Sequence, residues 1–318
     1  MEQDSELVLE GASGLRAVFS AVGAKLLALY VPTTSGVPAQ VVVGSSDDPD
    51  LPGADKWAGS VCGRFANRIA GASFTLDGVR HALPANDGPN TLHGGQSGYG
   101  VCAWDAARDG EALVFSYHSP AGDMGFPGTA DVSATYGFAG TTLWLELAAV
   151  TDAPTLMNLT HHAYWNLTGS GSALGHKLEI PASRYTPVDD VLIPTGPLAE
   201  VAGTRFDFRA PRVIGGSYDH NFCLDAGRGD VHLGARLTDP LTGRTLEVRT
   251  SEPGIQCYTG DHFHEGIQSR FSRPVRNGGI ALEPQTYPNA ANEPSYPTAV
   301  LRPGEVYHHR IEWVFSGF

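Results

Sequence analysis

Period-two alternation, with no helical stripe to compete with it, is what most narrows the folds open to this chain. Leu143, Leu145, Leu147 and Ala149 alternate with Thr142, Trp144, Glu146 and Ala148. Near the carboxyl end, Tyr307, His309, Ile311, Trp313 and Phe315 alternate with Val306, His308, Arg310, Glu312 and Val314. Successive side chains of a strand point to opposite faces, so each run reads as a strand with one buried side. The run Phe74-Thr75-Leu76-Asp77-Gly78-Val79-Arg80-His81 reads as a hairpin, because Asp-Gly suits the positive φ values of a type I′ turn. Further strands are predicted at 15–21, 25–31, 113–118, 132–136, 176–180, 231–237 and 245–250. No segment of ten or more residues shows an apolar helical stripe between proper caps. The 39 glycines and 22 prolines are scattered, as frequent turns between short segments require. The expected fold class is all-β, antiparallel, with enough strands for two large packed sheets. No linker or shift of composition divides the 318 residues, and all-β folds often exceed the usual domain size, so one domain over 1–318 is expected.

The net charge of −13 is spread along the chain without long acidic blocks. It argues against nucleic acid as a partner and for a soluble, self-repelling protein. Cys62, Cys102, Cys223 and Cys257 are far apart and form no C-x-x-C. The acidic start, Met1-Glu2-Gln3-Asp4-Ser5-Glu6, lacks the basic-then-apolar pattern of a secretory signal, and no apolar run approaches membrane-span length. Reduced thiols, a cytoplasmic location and no membrane partner are the expectation.

The chemistry concentrates in Asn158-Leu159-Thr160-His161-His162-Ala163-Tyr164-Trp165-Asn166-Leu167. Read as a strand, it puts Leu159, His161, Ala163, Trp165 and Leu167 on one face and Asn158, Thr160, His162, Tyr164 and Asn166 on the other. An ordinary half-buried strand shows charges or Thr to water, not an Asn-Thr-His-Tyr-Asn row. Such a row can offer hydrogen bonds to a polyhydroxylated ligand, with His162 able to move a proton.

Four further clusters stand beside blander readings. Gly63-Arg64-Phe65-Ala66-Asn67-Arg68-Ile69 could bind sugar hydroxyls, carboxylate or phosphate, or simply carry surface arginines paired with acids. Asn86-Asp87-Gly88-Pro89-Asn90-Thr91-Leu92-His93-Gly94-Gly95 is a turn-rich loop ending in a histidine whose glycines permit close backbone approach. In Tyr218-Asp219-His220-Asn221-Phe222, Asp219 is either a ligand-binding carboxylate at a strand entrance or the cap of an Asx turn. In Ile280-Ala281-Leu282-Glu283-Pro284-Gln285 the proline holds Glu283 extended, with Gln285 close behind. If Glu283 faces His162, unperturbed pKa values of about 4.3 and about 6.5 put base and acid within reach of neutral pH.

Twelve histidines raise the question of metal. The neighbours His161-His162 and His308-His309 should point to opposite faces, which weakens them as chelating pairs. His262-Phe263-His264 has the i, i+2 spacing of a shared face but needs a third ligand for zinc. No G-x-S-x-G elbow and no Walker loop occurs, and Gly169-Ser170-Gly171-Ser172-Ala173-Leu174-Gly175 misses the dinucleotide spacing by one residue. No metal and no cofactor are expected.

Together these motifs resemble the galactose mutarotase (aldose 1-epimerase) family. The matching pieces run in family order: Gly63–Ile69, Asn90–Gly95, Asn158–His162, Thr186-Pro187-Val188-Asp189, Leu192-Ile193-Pro194-Thr195-Gly196, Asp219–Phe222, Leu282–Gln285 and Leu301-Arg302-Pro303-Gly304-Glu305. The resemblance covers nearly the whole chain. It implies a large antiparallel β-sandwich with the sugar in an open cleft on a concave sheet. It implies Glu283 as general base and His162 as general acid, assisted by His93, with Arg68, Asn67, Asp219 and Gln285 binding an aldose of the galactose or glucose type. A monomer or homodimer is expected. Two departures are present: His161 stands where the family commonly has asparagine, and Gly98–Trp104 lacks a charged pair often seen before that tryptophan. Alternatives of other classes are a non-catalytic sugar-binding or regulatory protein on the same fold, a hexose 6-phosphate mutarotase using Arg64 and Arg68, and a zinc hydrolase built on His262 and His264.

Overall fold

The structure, a computed structural model, describes residues 7–44, 46, 55–264, 266, 267 and 269–318. The acidic amino-terminal hexapeptide lies outside the described residues. Strands dominate, and the helical elements among the described residues are the 3₁₀ turns Ala70–Ala72, Tyr99–Val101 and Asp123–Gly125. None is long and apolar enough to cross a membrane.

The alternation seen in the sequence is realised as burial. Thr142–Thr151 buries Leu143, Leu145, Leu147 and Ala149, and Tyr307–Ser316 buries His309, Ile311, Trp313 and Phe315. The two strands pair antiparallel with Leu145 opposite Ile311, so their apolar rows lie side by side. They sit at the centre of a nine-stranded sheet that runs from Asp105–Asp109 at one edge to Arg212–Val213 at the other. Each fully buried Leu or Ile there contributes roughly 1.5–3 kcal/mol.

A seven-stranded sheet holds, in spatial order, Ala199–Glu200, Arg184–Tyr185, Asp219–Cys223, Gly254–Tyr258, Ile280–Gln285, Tyr164–Trp165 and Val42–Val43. One core cluster takes Leu145, Ile311 and Trp313 from the first sheet and Phe222, Ile255, Ile280 and Leu282 from the second. The sheets are therefore the two layers of a sandwich. Because side chains alternate, Asp219, Gln256, Tyr258 and Glu283 project from the opposite face of the second sheet. Its pairings, Asp219 with Tyr258 and Gln256 with Glu283, bring them together.

The Asp77-Gly78 hairpin forms as expected, with φ of 49° and 80° and Leu76 paired with Val79. Lys25–Val31 and Thr245–Thr250 form over the expected residues, whereas the strand expected at 176–180 shortens to Lys177–Glu179. The cysteines are free thiols.

The segment 158–167 departs from its expected form. It is not one strand: Thr160–His161 pairs with Val61–Cys62, and Tyr164–Trp165 pairs with both Ile280–Gln285 and Val42–Val43. Both faces are buried. The polar row is largely structural: Asn158 Oδ1 accepts from the Thr286 amide, and Asn166 Nδ2 donates to the carbonyls of Gly171 and Gly278. Only His162 and Tyr164 of that row reach the cavity described below. Two strand fragments docked on different partners conceal a polar row from water, which sequence alternation alone does not reveal.

On the apolar side His161 packs edge-on against Trp313 and Tyr136, with ring centroids at 4.8 and 6.0 Å. Burial lowers its pKa to about 3, and His309, equally enclosed, is also lowered to about 3. An unfolded histidine titrates near about 6.5, so from there down to about pH 3 the unfolded chain binds more protons and stability falls with pH. Replacing His161 with Asn removes one such site. Urea unfolding at pH 7 and 4.5 should show a loss of stability smaller by about 2 kcal/mol in His161→Asn than in the wild type; an equal loss in both would contradict the buried neutral state.

Candidate active site

The cleft starts from two short turns that hold their residues in an unusual backbone form. Asn67 and His93 both adopt positive φ, 61° and 50°. For residues with a Cβ this left-handed form costs about 1–2 kcal/mol each. It is held by a reciprocal clasp: the His93 amide donates to the Asn67 carbonyl at 3.0 Å, and the Asn67 amide donates to His93 Nδ1 at 3.2 Å. An Nδ1 that accepts carries no proton, so in neutral His93 the proton is on Nε2, the nitrogen left for a ligand. Next to it Gly94 has φ of 81°, and a Cβ there would lie 1.9 Å from the Gly63 carbonyl oxygen. Only glycine lets the loop lie so close to the Gly63–Ile69 segment.

From the sheet side come Glu283, Asp219 and Tyr258, with His162 and Tyr164 from the broken 158–167 segment. With Asn67, Arg68 and His93 they line an open cavity of about 360 Å³, within the range of small-molecule sites. His162 Nε2 lies 3.5 Å from Glu283 Oε2, and the His93 ring meets His162 edge-on at 5.1 Å. Side chains of His162 and Glu283 are 6% and 2% exposed. Burial pushes the Glu283 carboxyl well above the usual range; the Asp219 and Asp55 charges add to this, and Arg68 opposes it. Burial lowers His162, with Asp55 opposing. Burial, then the charges of His162 and Arg68, hold His93 well below the ordinary imidazole value. Burial opposes charge on both members of the His162–Glu283 pair, while their mutual attraction favours it. One proton held between the two satisfies both demands.

Arg68 is aimed by a bond from its Nε to Asp87 Oδ2 at 2.7 Å. Asp219 lies opposite, its carboxyl raised chiefly by burial and restrained by Arg68 and by Gln256, whose Nε2 donates to it. Arg64 is elsewhere: its guanidinium is buried on Tyr99, Ser119, Thr155 and the carbonyls of Pro127 and Gly128. Gln285 shares the strand face of Glu283 but is fully buried and is not among the residues lining the cavity.

His262 and His264 are not on a strand, so the shared face expected of the pair does not exist. His262 Nδ1 faces the Tyr258 hydroxyl at 2.7 Å, and His264 Nδ1 accepts from the Gly266 amide. His308 and His309 do point oppositely, one exposed beside Glu146 and one buried. Ligand-type atoms of His93, His162 and Glu283 lie within 4.8 Å of one another, close enough for protons to pass between them and one bound small molecule.

Sequence reasoning missed Asp87, Gln256 and Asp55. Asp87 lies in the turn-rich loop 86–95, and its spacing to Arg68 gives no sign of contact. Gln256 lies in a strand buried at four of five positions, Gly254–Tyr258, where it reads as a stray polar residue.

A β-sandwich with an imidazole–carboxylate pair in an open polar cleft defines the class, an enzyme equipped for acid–base chemistry on a polar small molecule. The family model described as aldose 1-epimerase matches residues 5–313. A galactose mutarotase from Sus scrofa is 39% identical over 305 residues, covering 92% of this chain and 89% of its own. An aldose 1-epimerase from Haemophilus influenzae is 36% identical, with 98% and 95% covered. An aldose epimerase homologue from C. elegans superposes with a TM-score of 0.91 at 30% identity, over 98% of this chain and 99% of its own. The chain belongs to the aldose 1-epimerase family.

Gly94→Ala should drive the 92–95 turn away from Gly63 and break the clasp on His93. Thermal unfolding should show a loss above about 2 kcal/mol, the scale of backbone strain and lost packing. A variant as stable as the wild type would show that the close approach is not required.

Proposed function

We propose that this aldose 1-epimerase family member interconverts the α and β anomers of free hexoses, with Glu283 as general base and His162 as general acid. The observation that carries this reading is the buried His162–Glu283 pair at 3.5 Å, in a cavity also lined by hydrogen-bonding groups. Glu283 takes the proton from the C1 hydroxyl while His162 protonates the ring oxygen. The bond from C1 to that oxygen breaks and C1 becomes the aldehyde carbonyl. Rotation about C1–C2 presents the other carbonyl face, and ring closure returns both protons with the roles reversed. The chain needs no redox partner for this, since substrate and product have the same composition and oxidation state.

The other polar groups position the sugar. His93, neutral with its proton on Nε2, donates to a sugar oxygen; Arg68 donates and Asp219 accepts. Asn67 acts through His93, whose ring its amide orients. General acid–base help is worth about 10²–10⁴ in rate per group, and positioning adds to it. Free hexose fits better than a phosphorylated one, because Arg64 is spent inside the protein and the cleft's two cations, Arg68 and Lys56, stand beside the carboxylates of Asp55 and Asp219. The proton-transfer pair favours an enzyme over a sugar-binding protein, which has no use for it.

The remaining readings follow. One domain carries the whole activity, and the protein works as a monomer or homodimer. Free cysteines suit the cytoplasm.

Glu283→Gln keeps shape and hydrogen bonding but removes the base. Polarimetry on freshly dissolved α-D-galactose should show turnover lower by about 10²–10⁴, while calorimetry still detects sugar binding. Wild-type turnover in this variant would remove Glu283 from the base role.

A further inference from the structure

Beside the reacting groups the cleft has a second wall that the proton transfers do not use. It begins at Asp55, whose side chain is only 6% exposed. Asp55 Oδ1 accepts from the Trp57 amide at 2.9 Å, and Oδ2 accepts from the Tyr164 hydroxyl at 2.9 Å and faces His262 Nε2 at 3.2 Å. The Tyr258 hydroxyl meets His262 Nδ1 at 2.7 Å, and on the other side of the ring Nε2–H donates to the Asp55 carboxylate. The same Tyr164 ring lies against His162, centroid to centroid 4.9 Å. The backbone beside Asp55 is itself anchored: Lys25, 1% exposed, donates through Nζ to the Lys56 carbonyl at 3.0 Å. Burying the Lys25 ammonium and, in the cavity wall, the Asp55 carboxylate is costly. Something must come of it.

We propose that Asp55 is a positioning residue for the proton-transfer pair: it locks Tyr164 against His162, braces that wall through His262, and presents a fixed negative charge to His162 and Glu283. The proposal rests on the mutarotase reading above. Burial pushes the Asp55 carboxyl up, but bonds from His262 and Tyr164 and the nearby imidazole charges outweigh it and hold the group ionised. Its charge then favours a proton on either member of the pair, raising both His162 and Glu283.

Asp219 also raises Glu283, more than Asp55 does, whereas on His162 Asp55 is the carboxylate that acts. Cys62, Tyr164 and Tyr258 stay neutral because burial pushes each of them up. His93 is neutral as well. Arg68 and Lys56 are cations and act in the opposite sense. Asp219 is the remaining carboxylate, and it is engaged by Arg68 and Gln256. His262 is tied to Asp55 itself.

Asp55→Asn retains size but loses the charge, and Tyr164→Phe retains the charge and the ring but loses the hydroxyl link. Polarimetry with α-D-galactose from pH 5 to 9 would be run on wild type and both variants, with folding checked by circular dichroism. In Asp55→Asn, KM should stay within about threefold, kcat at pH 8 should fall about tenfold, and both limbs of the pH profile should move about one unit toward acid. In Tyr164→Phe, kcat should fall several-fold with the limbs unmoved. An Asp55→Asn enzyme with wild-type kcat and profile, or one impaired in KM alone, would overturn the proposal. If Asp55→Asn does not fold, Tyr164→Phe decides: wild-type kcat overturns the proposal, and a several-fold loss supports it. A wild type that does not speed equilibration would instead remove the mutarotase reading on which the proposal stands.

Discussion

A carboxylate and an imidazole 3.5 Å apart, both cut off from bulk water, hold one proton between them more readily than none or two. With no proton, a lone carboxylate is buried; with two, a lone imidazolium is. The singly protonated pair therefore spans a wide pH window, and it is the form that can give a proton to one atom of a ligand while taking one from another. Burial alone does not create this state. It depends on strand register, which places Glu283 beside Gln256 on the cavity face and puts the 158–167 segment alongside, so that His162 arrives at the right distance.

The sandwich thus serves the site through alternation. Ile280 and Leu282 anchor the Ile280–Gln285 strand in the core, and Glu283 between Leu282 and Pro284 must then face the cleft. A one-residue slip would send Glu283 into the apolar layer. The loop side uses a different device: Asn67 and His93 are held in left-handed backbone conformations by each other and by the close approach at Gly94. A rigid strand holds Glu283, the break between two short strands holds His162, and a strained clasp fixes His93 in the cavity wall.

Much of this was legible in the residues. Alternation at 142–149 and 306–315 marked the central strands, and Asp77-Gly78 marked its hairpin. The histidine between turn residues and glycines, and the glutamate before a proline, were found by their local chemistry. What stayed hidden depends on contacts between distant parts of the chain. Arg64 and Arg68 look alike in sequence, yet one is sunk among carbonyls and the other is turned to the cleft by Asp87. The Asn158–Asn166 polar row looked like a ligand surface, but three of its five members are buried away from the cleft. Asp55 carries no motif, and its importance comes from Tyr164 and His262, more than a hundred residues away.

The central claim is that one proton, shared by His162 and Glu283, is moved between two oxygens of a sugar. The most direct test is the pH dependence of kcat/KM for wild-type equilibration of α-D-galactose, followed by polarimetry from pH 4 to 10. A shared proton predicts a bell: activity falls at low pH as the pair takes up a second proton and at high pH as it loses its only one. A rate that climbs steadily with pH, or does not change across the range, would contradict it.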